Sequence, residues 1–237
     1  MTVHFTKMFK RFGNREILSG VDLILSENKC SILTGKNGAG KTTLMRICAG
    51  LEKPESGRIL YEGTDESWGR YTGKLFQNTV YLHQQPYMFD GDVIHNLEFG
   101  LSKKMSRADR KKKITDALEW AGLTEIAHNQ AKTLSGGERQ RVAITRAWLH
   151  EPDIMLLDEP TANMDNEART RTVSLLQNLK KHNIIVLIAT HEPEHFYSIA
   201  DEWLVLTDGR IKNGELPVNR NSNVLQLHKL QYAQAFT

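Results

Sequence analysis

The chain has 237 residues, 40% of them hydrophobic, a formal net charge of +3 and two cysteines. This size allows one large domain or two small ones, and the small net charge gives no reason to expect a nucleic-acid-binding protein. Two cysteines are too few for a disulfide framework, and the start of the chain lacks a secretory signal pattern. No apolar stretch approaches the roughly 20 residues that span a bilayer, so work at a membrane would require another, membrane-spanning subunit.

The first predicted elements are short strands up to about residue 30, with turns at Gly13-Asn14 and Ser19-Gly20. An apolar run over 30–33 predicts a buried strand, and a helix is expected to end near Ala49. Between this strand and helix lies a loop that fits the pattern G-x-x-x-x-G-K-[ST], with the sequence Gly35-Lys36-Asn37-Gly38-Ala39-Gly40-Lys41-Thr42-Thr43. The order of strand, loop and helix predicts a phosphate-binding loop.

The chemistry of this loop follows from its residue types. Its glycines let backbone N–H groups turn inward, and the following helix adds its positive N-terminal end. Lys41 would then reach the β- and γ-phosphates, and Thr42 would place a hydroxyl on Mg²⁺. About one unrelated chain in a hundred would match this pattern by chance. The loop therefore predicts a nucleoside triphosphate ligand without saying what the protein does with it.

The middle of the chain changes from strands to helices. Residues 57–82 are predicted to form short strands and turns, and a helical pattern begins at Asp92. Ser106 is a candidate N-cap of a helix that Gly122 ends, and a second helix is expected from 136–138 to Leu149. These helices lie between predicted strands, so they are expected to form an insertion in a sheet.

The last third of the chain again alternates strands and helices. Buried strands are predicted near 154–157 and 184–189, a helix over 166–181 between them, and a closing hairpin over 203–211. Continuous apolar strands that alternate with helices predict an α/β fold with a mainly parallel sheet covered on both faces. The polar, aperiodic residues after about Pro217 predict a loosely held tail.

Polar residues follow three of the predicted parallel strands. The phosphate-binding loop follows the first, Asp158 and Glu159 follow the second, and His191 follows the third. Because ligands gather at the carboxyl ends of parallel strands, we expect these groups to meet at one edge of the sheet. Asp158 suits Mg²⁺, and Glu159 could act on an attacking water as general base.

Three stretches resemble the nucleotide-binding subunit of an ATP-binding-cassette (ABC) transporter. GKNGAGKTT is similar to Walker A, LSGGERQRVAITRA to the family signature and IMLLDEP to Walker B, in the family's order. The resemblance covers about residues 2–215 and implies a P-loop NTPase core, an N-terminal antiparallel β subdomain and a helical subdomain inserted over about 92–150. Residues 1–215 would form the ATP-binding domain and 216–237 a short C-terminal tail.

The resemblance implies that two subunits bind two ATP molecules head to tail. Each ATP would lie between one subunit's P-loop and the signature of the other, which is a second copy or a homologous ATPase subunit. One chain would therefore hold two incomplete sites. The implied nucleotide contacts in these two stretches are Gly35, Lys36, Asn37, Gly38, Ala39, Gly40, Lys41, Thr42 and Thr43, with Ser135, Gly136, Gly137 and Glu138.

Smaller family elements have counterparts in the chain. Phe12 resembles the aromatic residue that stacks on adenine, although a core phenylalanine at a strand end is the alternative. Gln84 resembles the Q-loop glutamine; Gln85 is adjacent, and the spacing to Phe89 favours Gln84. Asp165 resembles the D-loop aspartate at the dimer contact.

His191 resembles the switch histidine that senses the γ-phosphate. ATP and Mg²⁺ are the implied cofactors. The implied catalytic residues are Glu159, His191 and Gln84, and the implied magnesium ligands are Thr42, Gln84 and Asp158.

The resemblance implies an ATPase at the cytoplasmic face of the membrane that drives transport through a separate multi-span permease, without nucleic acid. The lack of fused spans and the short stretch before the signature favour import, with a substrate-binding protein as a further candidate partner. HQQPYMFDGDVIHNL is similar to the ATPases of oxyanion importers, with tungstate or molybdate as candidate cargo. The aromatic stretch 86–89 could receive a permease helix or pack the helical insert, and the basic stretch 103–113 could be solvated or contact anionic lipid.

Other classes fit less well. Soluble ABC ATPases of translation normally carry two cassettes in one chain, and DNA-repair ABC ATPases separate Walker A from the signature by a coiled coil or zinc modules. The segment between Lys41 and Ser135 has neither heptads nor cysteine clusters. An ABC subunit that energises export without fused spans is the nearest alternative.

Overall fold

The computed structural model describes residues 1–61, 64–68, 73 and 77–216. The predicted tail after Pro217 lies outside the described residues. The strands are β1 (Thr2–Phe12), β2 (Arg15–Ser26), β3 (Cys30–Thr34), β4 (Ser56–Tyr61), β5 (Thr64–Ser67), β6 (Thr79–Leu82), β7 (Ile154–Asp158), β8 (Ile185–Ala189), β9 (Glu202–Thr207) and β10 (Arg210–Asn213). The α-helices whose ends both lie within the described residues are α1 (Lys41–Cys48), α2 (Val93–Glu98), α3 (Arg107–Ala121), α4 (Gly136–Leu149) and α5 (Asn166–Leu179).

The strands form two sheets. An antiparallel sheet has the order β2-β1-β4-β5, and a second sheet has the order β10-β9-β3-β8-β7-β6. In the second sheet β9, β3, β8, β7 and β6 run parallel, and only β10 is antiparallel to its neighbour. Helices α2, α3 and α4 lie between β6 and β7 in the chain. The predicted α/β fold, with its N-terminal antiparallel sheet and helical insertion, is confirmed.

The parallel sheet is buried on both faces. Alternate residues of β7 contribute to two separate hydrophobic clusters, Met155 and Leu157 to one and Ile154 and Leu156 to the other. The same alternation holds in β8. Because successive side chains of a strand point to opposite faces, a sheet covered on both sides needs an apolar residue at every position. This is why both strands appear in the sequence as unbroken apolar runs.

The predicted turn at Ser19-Gly20 is wrong. Both residues lie inside the continuous strand β2, and the β1–β2 register shifts between the pairs Met8↔Val21 and Phe9↔Ser19. Gly20 has φ +78° and a Cβ there would lie 3.0 Å from the Phe9 ring, so it forms a glycine β-bulge. A bulge and a turn share the same local signal, since both favour glycine at positive φ.

The prediction of only strands and turns over 57–82 is also wrong. The described positions Trp68, Gly73, Gln77 and Asn78 are helical. Glycine is a poor helix former, so Gly73 weakens any helical signal in this part of the sequence. Trp68 is only 6% exposed and packs with the cluster beneath the antiparallel sheet, so tertiary packing outweighs local propensity here.

The helix ends follow local capping chemistry. The Ser106 side chain accepts a hydrogen bond from the Asp109 backbone N–H at the start of α3, and Gly122 ends that helix in the left-handed conformation. Both predicted ends of α3 are confirmed. Helix α5 ends at Leu179 and continues as a 3₁₀ turn over Lys180–His182, slightly short of its predicted end.

Candidate functional site

The glycine-rich loop joins the carboxyl end of β3 to α1. Gly38 and Gly40 both have positive φ, +78° and +105°, and Gly40 is the N-cap of α1. Its cap makes no side-chain hydrogen bond, so the first N–H groups of α1 are left for another acceptor. An anion at this helix terminus would satisfy them.

Lys41 folds back over this loop. Its Nζ donates to the carbonyl oxygens of Gly35 at 2.8 Å and Lys36 at 3.4 Å, and the residue is only 8% exposed. Burial lowers the pKa of Lys41, while the charges of Glu159 and Asp158 oppose that shift. A buried cation at the centre of the loop favours an anionic ligand there.

Asp158 ends β7 and receives two hydroxyl donors on one oxygen. Thr42 Oγ1 donates to its Oδ2 at 2.8 Å, and Tyr81 OH donates to the same atom at 2.9 Å. Burial, together with the charge of Asp158, raises the pKa of Tyr81, so this hydroxyl keeps its proton. Tyr81 lies opposite Leu156 in the β6–β7 ladder, and Leu156 and Asp158 share a face of β7, which explains the contact.

We predict that Tyr81→Phe destabilises the nucleotide-free protein by about 1–2 kcal/mol, because a partly buried carboxylate loses a hydrogen-bond donor. Urea unfolding would measure the loss. A double-mutant cycle with Asp158→Ala isolates the pair, and the coupling free energy should account for most of the effect. Additive effects of the two substitutions would contradict the proposed contact.

Glu159 and His191 form a second pair beside Asp158. His191 Nδ1 lies 2.9 Å from Glu159 Oε1, within hydrogen-bond distance. The backbone N–H of Glu159 donates to the Ala189 carbonyl at 2.8 Å, which ties the end of β7 to the end of β8. Glu159 has φ +49°, a left-handed conformation that is costly for a residue with a side chain and is often found at functional sites.

These groups line one cleft of about 480 Å³. The predicted site residues on its wall are Phe12, Asn37, Gly38, Gly40, Lys41, Thr42, Thr43, Gln84, Asp158, Glu159 and His191. Gln84 borders the cleft and Gln85 is not among its lining residues. The Phe12 ring is 50% exposed at the same cleft. The loop after β3, the two acids after β7 and His191 after β8 therefore meet at one edge of the sheet, as expected.

Three further residues line the cleft and were not predicted from the sequence. Arg15 donates from Nη2 to the Gly38 carbonyl at 3.1 Å, and Ile17 and His83 also line the cleft. Arg15 and Ile17 lie in β2, which packs beside the loop without being near it in sequence. His83 is adjacent to Gln84 in the chain, so its place at the cleft could have been predicted from the prediction for Gln84.

The signature residues lie elsewhere. Ser135, Gly136, Gly137, Glu138 and Asp165 are absent from the residues that line the cleft. Ser135 caps α4 in a capping box with Glu138, and the hydrogen bond from Ser135 lowers the pKa of Glu138. Asp165 caps α5 by accepting from the Ala168 N–H at 2.8 Å. A single chain thus holds the two groups of predicted nucleotide contacts apart.

The two signature glycines differ in their surroundings. A Cβ on Gly137 would lie 2.6 Å from the Cβ of Ala168 on α5, whereas a Cβ on Gly136 would meet nothing within 4 Å. Gly137 therefore permits the close approach of α4 and α5, whereas no packing contact within the described residues requires a glycine at position 136.

We predict that Gly137→Ala destabilises the protein by about 1–3 kcal/mol, because the added methyl overpacks the α4–α5 contact. Gly136→Ala should leave stability unchanged or slightly higher, since alanine is the better helix former. Both variants should lose most of the ATPase activity if the signature backbone contacts nucleotide across a dimer. Urea unfolding and steady-state hydrolysis would separate the effects, and full activity in Gly136→Ala would contradict that contact.

Comparison with known proteins identifies the family. The family model described as "ABC transporter" matches residues 18–162 of the chain. The chain belongs to the ABC transporter family. As a member of this family it is an ATP-binding protein and an ATPase.

Several curated ABC transporter subunits are similar in sequence. An aliphatic sulfonates import ATP-binding protein, SsuB 2 of Pseudomonas aeruginosa, is 36% identical over 88% of this chain and 73% of its own length. The sulfate/thiosulfate import protein CysA of Mesostigma viride is 35% identical over 90% of this chain, and the Fe(3+) ions import protein FbpC of Streptomyces coelicolor is 35% identical over 88%. The chain spans only 61% and 60% of the lengths of these last two relatives.

Solved ABC transporter structures share the fold. CbiO1 of Clostridium perfringens, part of the transporter complex cbiONQ, superposes with a TM-score of 0.81 at 27% identity, covering 90% of this chain and 87% of its own. The cassette MJ0796, in a dimeric post-hydrolysis state bound to ADP and Pi, has a TM-score of 0.77 at 25% identity, covering 92% of this chain and 100% of its own. Within the described part of this ABC protein, no helix is both long and apolar enough to cross a bilayer.

Proposed function

We propose that this ABC ATPase binds Mg²⁺ and ATP in the cleft, dimerises around two nucleotides and drives import through a separate membrane permease. The observation that carries the proposal is the convergence of Lys41, Asp158 and Glu159 on one cleft that lacks the signature residues. Residues 1–215 would form this ATP-binding unit. Phe12 would offer its exposed ring to adenine, and the loop from Gly35 to Thr43 would hold the phosphates.

The donors at the cleft fit Mg²⁺. Thr42 supplies a hydroxyl, Gln84 an amide oxygen and Asp158 a carboxylate, and all three line the same cleft. Mg²⁺ prefers oxygen ligands and commonly uses one or two carboxylates with substrate phosphates and water. When bound, the ion would neutralise charge on the phosphate oxygens. These residues would hold it, and the Lys41 ammonium would bind the phosphates.

Glu159 is proposed to be the general base. Its carboxylate would accept a proton from the attacking water, which Gln84 would help to position. His191 would keep Glu159 in place through the 2.9 Å contact and, at the end of β8, would contact the γ-phosphate.

The dimer is proposed from the separation of the two residue groups. Ser135–Glu138 and Asp165 lie at the N-termini of α4 and α5, off the chain's own cleft. In a head-to-tail dimer they would complete the cleft of a second copy or of a homologous ATPase. Loss of the γ-phosphate would then remove contacts across the interface and shift the balance from closed to open dimer.

Import is supported by the relatives, which are named for import of sulfonates, sulfate or thiosulfate, and Fe(3+). We propose a small oxyanion as cargo, with tungstate or molybdate as specific candidates. The Fe(3+) relative has the same identity to the chain as the sulfate relative and supports a different cargo. Export through a permease without a capture protein is the competing function.

An aromatic surface on the helical insert is proposed to receive the permease. Tyr87 is 72% exposed and Phe99 53%, and Phe89 stacks on Phe99 with ring centroids 4.0 Å apart. Arg146 lies over the Phe89 ring at 4.9 Å, and its Nη2 donates to the Tyr87 carbonyl at 2.8 Å. Within the stretch 86–89, Met88 is buried in the core. The stretch therefore packs the helical insert and also keeps the Tyr87 ring exposed to a partner.

Affinity purification of the tagged chain from gently solubilised native membranes tests the proposal. A multi-span subunit together with a substrate-binding protein would support an importer located at the cytoplasmic face of the membrane. A multi-span subunit without a capture protein would favour export. Recovery only with ribosomes or DNA would overturn the transport function and leave the ATPase in place.

A further inference from the structure

The stretch 103–113 is strongly basic. It holds seven lysines and arginines and a single acid, Asp109. Two of the cations have partners, since Arg110 donates to the Ser102 carbonyl at 3.2 Å and Lys113 pairs with Glu151. Asp109 accepts a hydrogen bond from the Ser106 hydroxyl at 2.7 Å.

The five other cations, Lys103, Lys104, Arg107, Lys111 and Lys112, are exposed, and the first four are called here the α3 basic surface. Among the residues that the structure describes, no carboxylate forms an ion pair with any of the four. Arg107 and Lys111 are one helical turn apart, so their side chains lie on the same side of α3. Within the described part of the chain, the surface is therefore a set of exposed positive charges that form no ion pair.

Arg107 and Lys111, the two members of this surface that lie in α3, are unfavourably placed for the helix itself. The N-terminal end of a helix carries partial positive charge, so cations there are destabilising and acids stabilising. In α3 the cations occupy the first turns, and Asp116 and Glu119 lie toward the C-terminal end. Helix stability therefore does not account for the charge pattern, whereas an external anion would.

The residues that neighbour the α3 basic surface indicate which kind of anion would bind it. The loop that carries Lys103 and Lys104 follows directly after the exposed ring of Phe99, next to the stacked Phe89 and the exposed Tyr87. Because these rings are proposed to receive a membrane-spanning permease, the basic loop beside them would lie close to the membrane, where anionic headgroups attract lysines and arginines. Nucleic acid is a poorer fit, because the whole chain has a formal net charge of only +3.

We propose that the α3 basic surface contacts anionic lipid headgroups beside the permease. The inference rests on the proposed membrane assembly, and it adds a lipid contact that the aromatic surface alone does not provide. Each lysine or arginine held near an anionic membrane contributes about fivefold to binding, so three such residues contribute on the order of a hundredfold.

Vesicle flotation of the purified chain tests the contact. Vesicles of phosphatidylcholine alone are compared with vesicles that contain phosphatidylglycerol, at low and high salt. The test variant is Lys103→Glu, Lys104→Glu, Arg107→Glu, and the matched control is Lys53→Glu, Lys181→Glu, Lys212→Glu, at exposed positions outside the insert. Both variants lower the net charge by the same amount, and glutamate at position 107 suits the start of α3.

Wild type and control are expected to bind anionic vesicles well above neutral ones. The test variant should bind about a hundredfold more weakly, and high salt should abolish the difference because screening shortens electrostatic reach. Equal binding of wild type to both vesicles, or equal loss in test and control variants, would overturn the proposal. Loss of permease co-purification by the test variant in neutral detergent would also overturn it, in favour of an acidic protein partner.

The outcome is separable from the proposed function. The four cations lie outside the cleft, so ATPase activity of the test variant in solution should equal that of wild type. If the chain co-purifies with a permease but does not bind anionic vesicles, only the proposed lipid contact is wrong. If the chain co-purifies with no membrane protein, the proposed transport function is wrong, whether or not the chain binds lipid.

Discussion

Glu159→Gln should bind ATP as the wild type does and hydrolyse it about 100- to 10,000-fold more slowly. The amide keeps the size of the carboxylate and its contact with His191, but it cannot accept the proton of the attacking water. The closed dimer should therefore accumulate in the presence of Mg²⁺ and ATP. Single-turnover hydrolysis measures the rate, and size-exclusion chromatography with light scattering measures the dimer.

Glu192→Gln is the matched control for this substitution. Glu192 follows His191 in the chain but does not line the cleft, and its side chain faces His195 at 3.6 Å. Its variant should hydrolyse ATP at a near-normal rate. Near-normal turnover by Glu159→Gln would remove the general-base assignment, while the ATP-binding function of the cleft would stand.

Lys41→Ala should weaken ATP binding roughly ten- to hundredfold, the effect of losing a hydrogen bond between a cation and phosphate. Lys41 is buried at the centre of the loop and its Nζ is held by the Gly35 carbonyl, so alanine removes a positive charge of fixed position. Isothermal titration with ATP and Mg²⁺ measures the affinity, and urea unfolding without nucleotide checks that the fold is retained.

Lys36→Ala controls for charge in the same loop. Lys36 is exposed and its side chain lies outside the main cleft, so any contribution to phosphate binding would come from its backbone. The affinity of this variant should stay within a few fold of wild type. Equal losses at positions 36 and 41 would mean that the loop responds to net charge and not to the placement of one ammonium.

The sequence predicted the cleft because its residues follow parallel strands. The loop after β3, the acids after β7 and His191 after β8 share one edge, since the carboxyl ends of parallel strands must meet. Arg15 at the cleft and the hydrogen bond from Tyr81 to Asp158 were not predicted, because these side chains come from β2 and β6 through packing between elements. Sheet order, which decides such contacts, has no local signal in the chain.

Local chemistry was a good guide where it acts alone and a poor one where packing decides. Ser106 and Gly122 end α3 as predicted, because caps depend on neighbouring residues. Gly20 was mistaken for a turn because a bulge and a turn both favour glycine at positive φ, and the helical position of Trp68 was missed because its burial outweighs local propensity. The sequence also treats Gly136 and Gly137 alike, and only the contact with Ala168 separates them.

The carbonyl contacts of Lys41 have a consequence for how a nucleotide enters. The ammonium donates hydrogen bonds to the carbonyl oxygens of Gly35 and Lys36. Phosphate would exchange one set of oxygens for another around a side chain whose position is fixed in advance. Little conformational entropy is then lost on binding, so the loop behaves as a preformed receptor, and affinity depends on charge rather than on ordering.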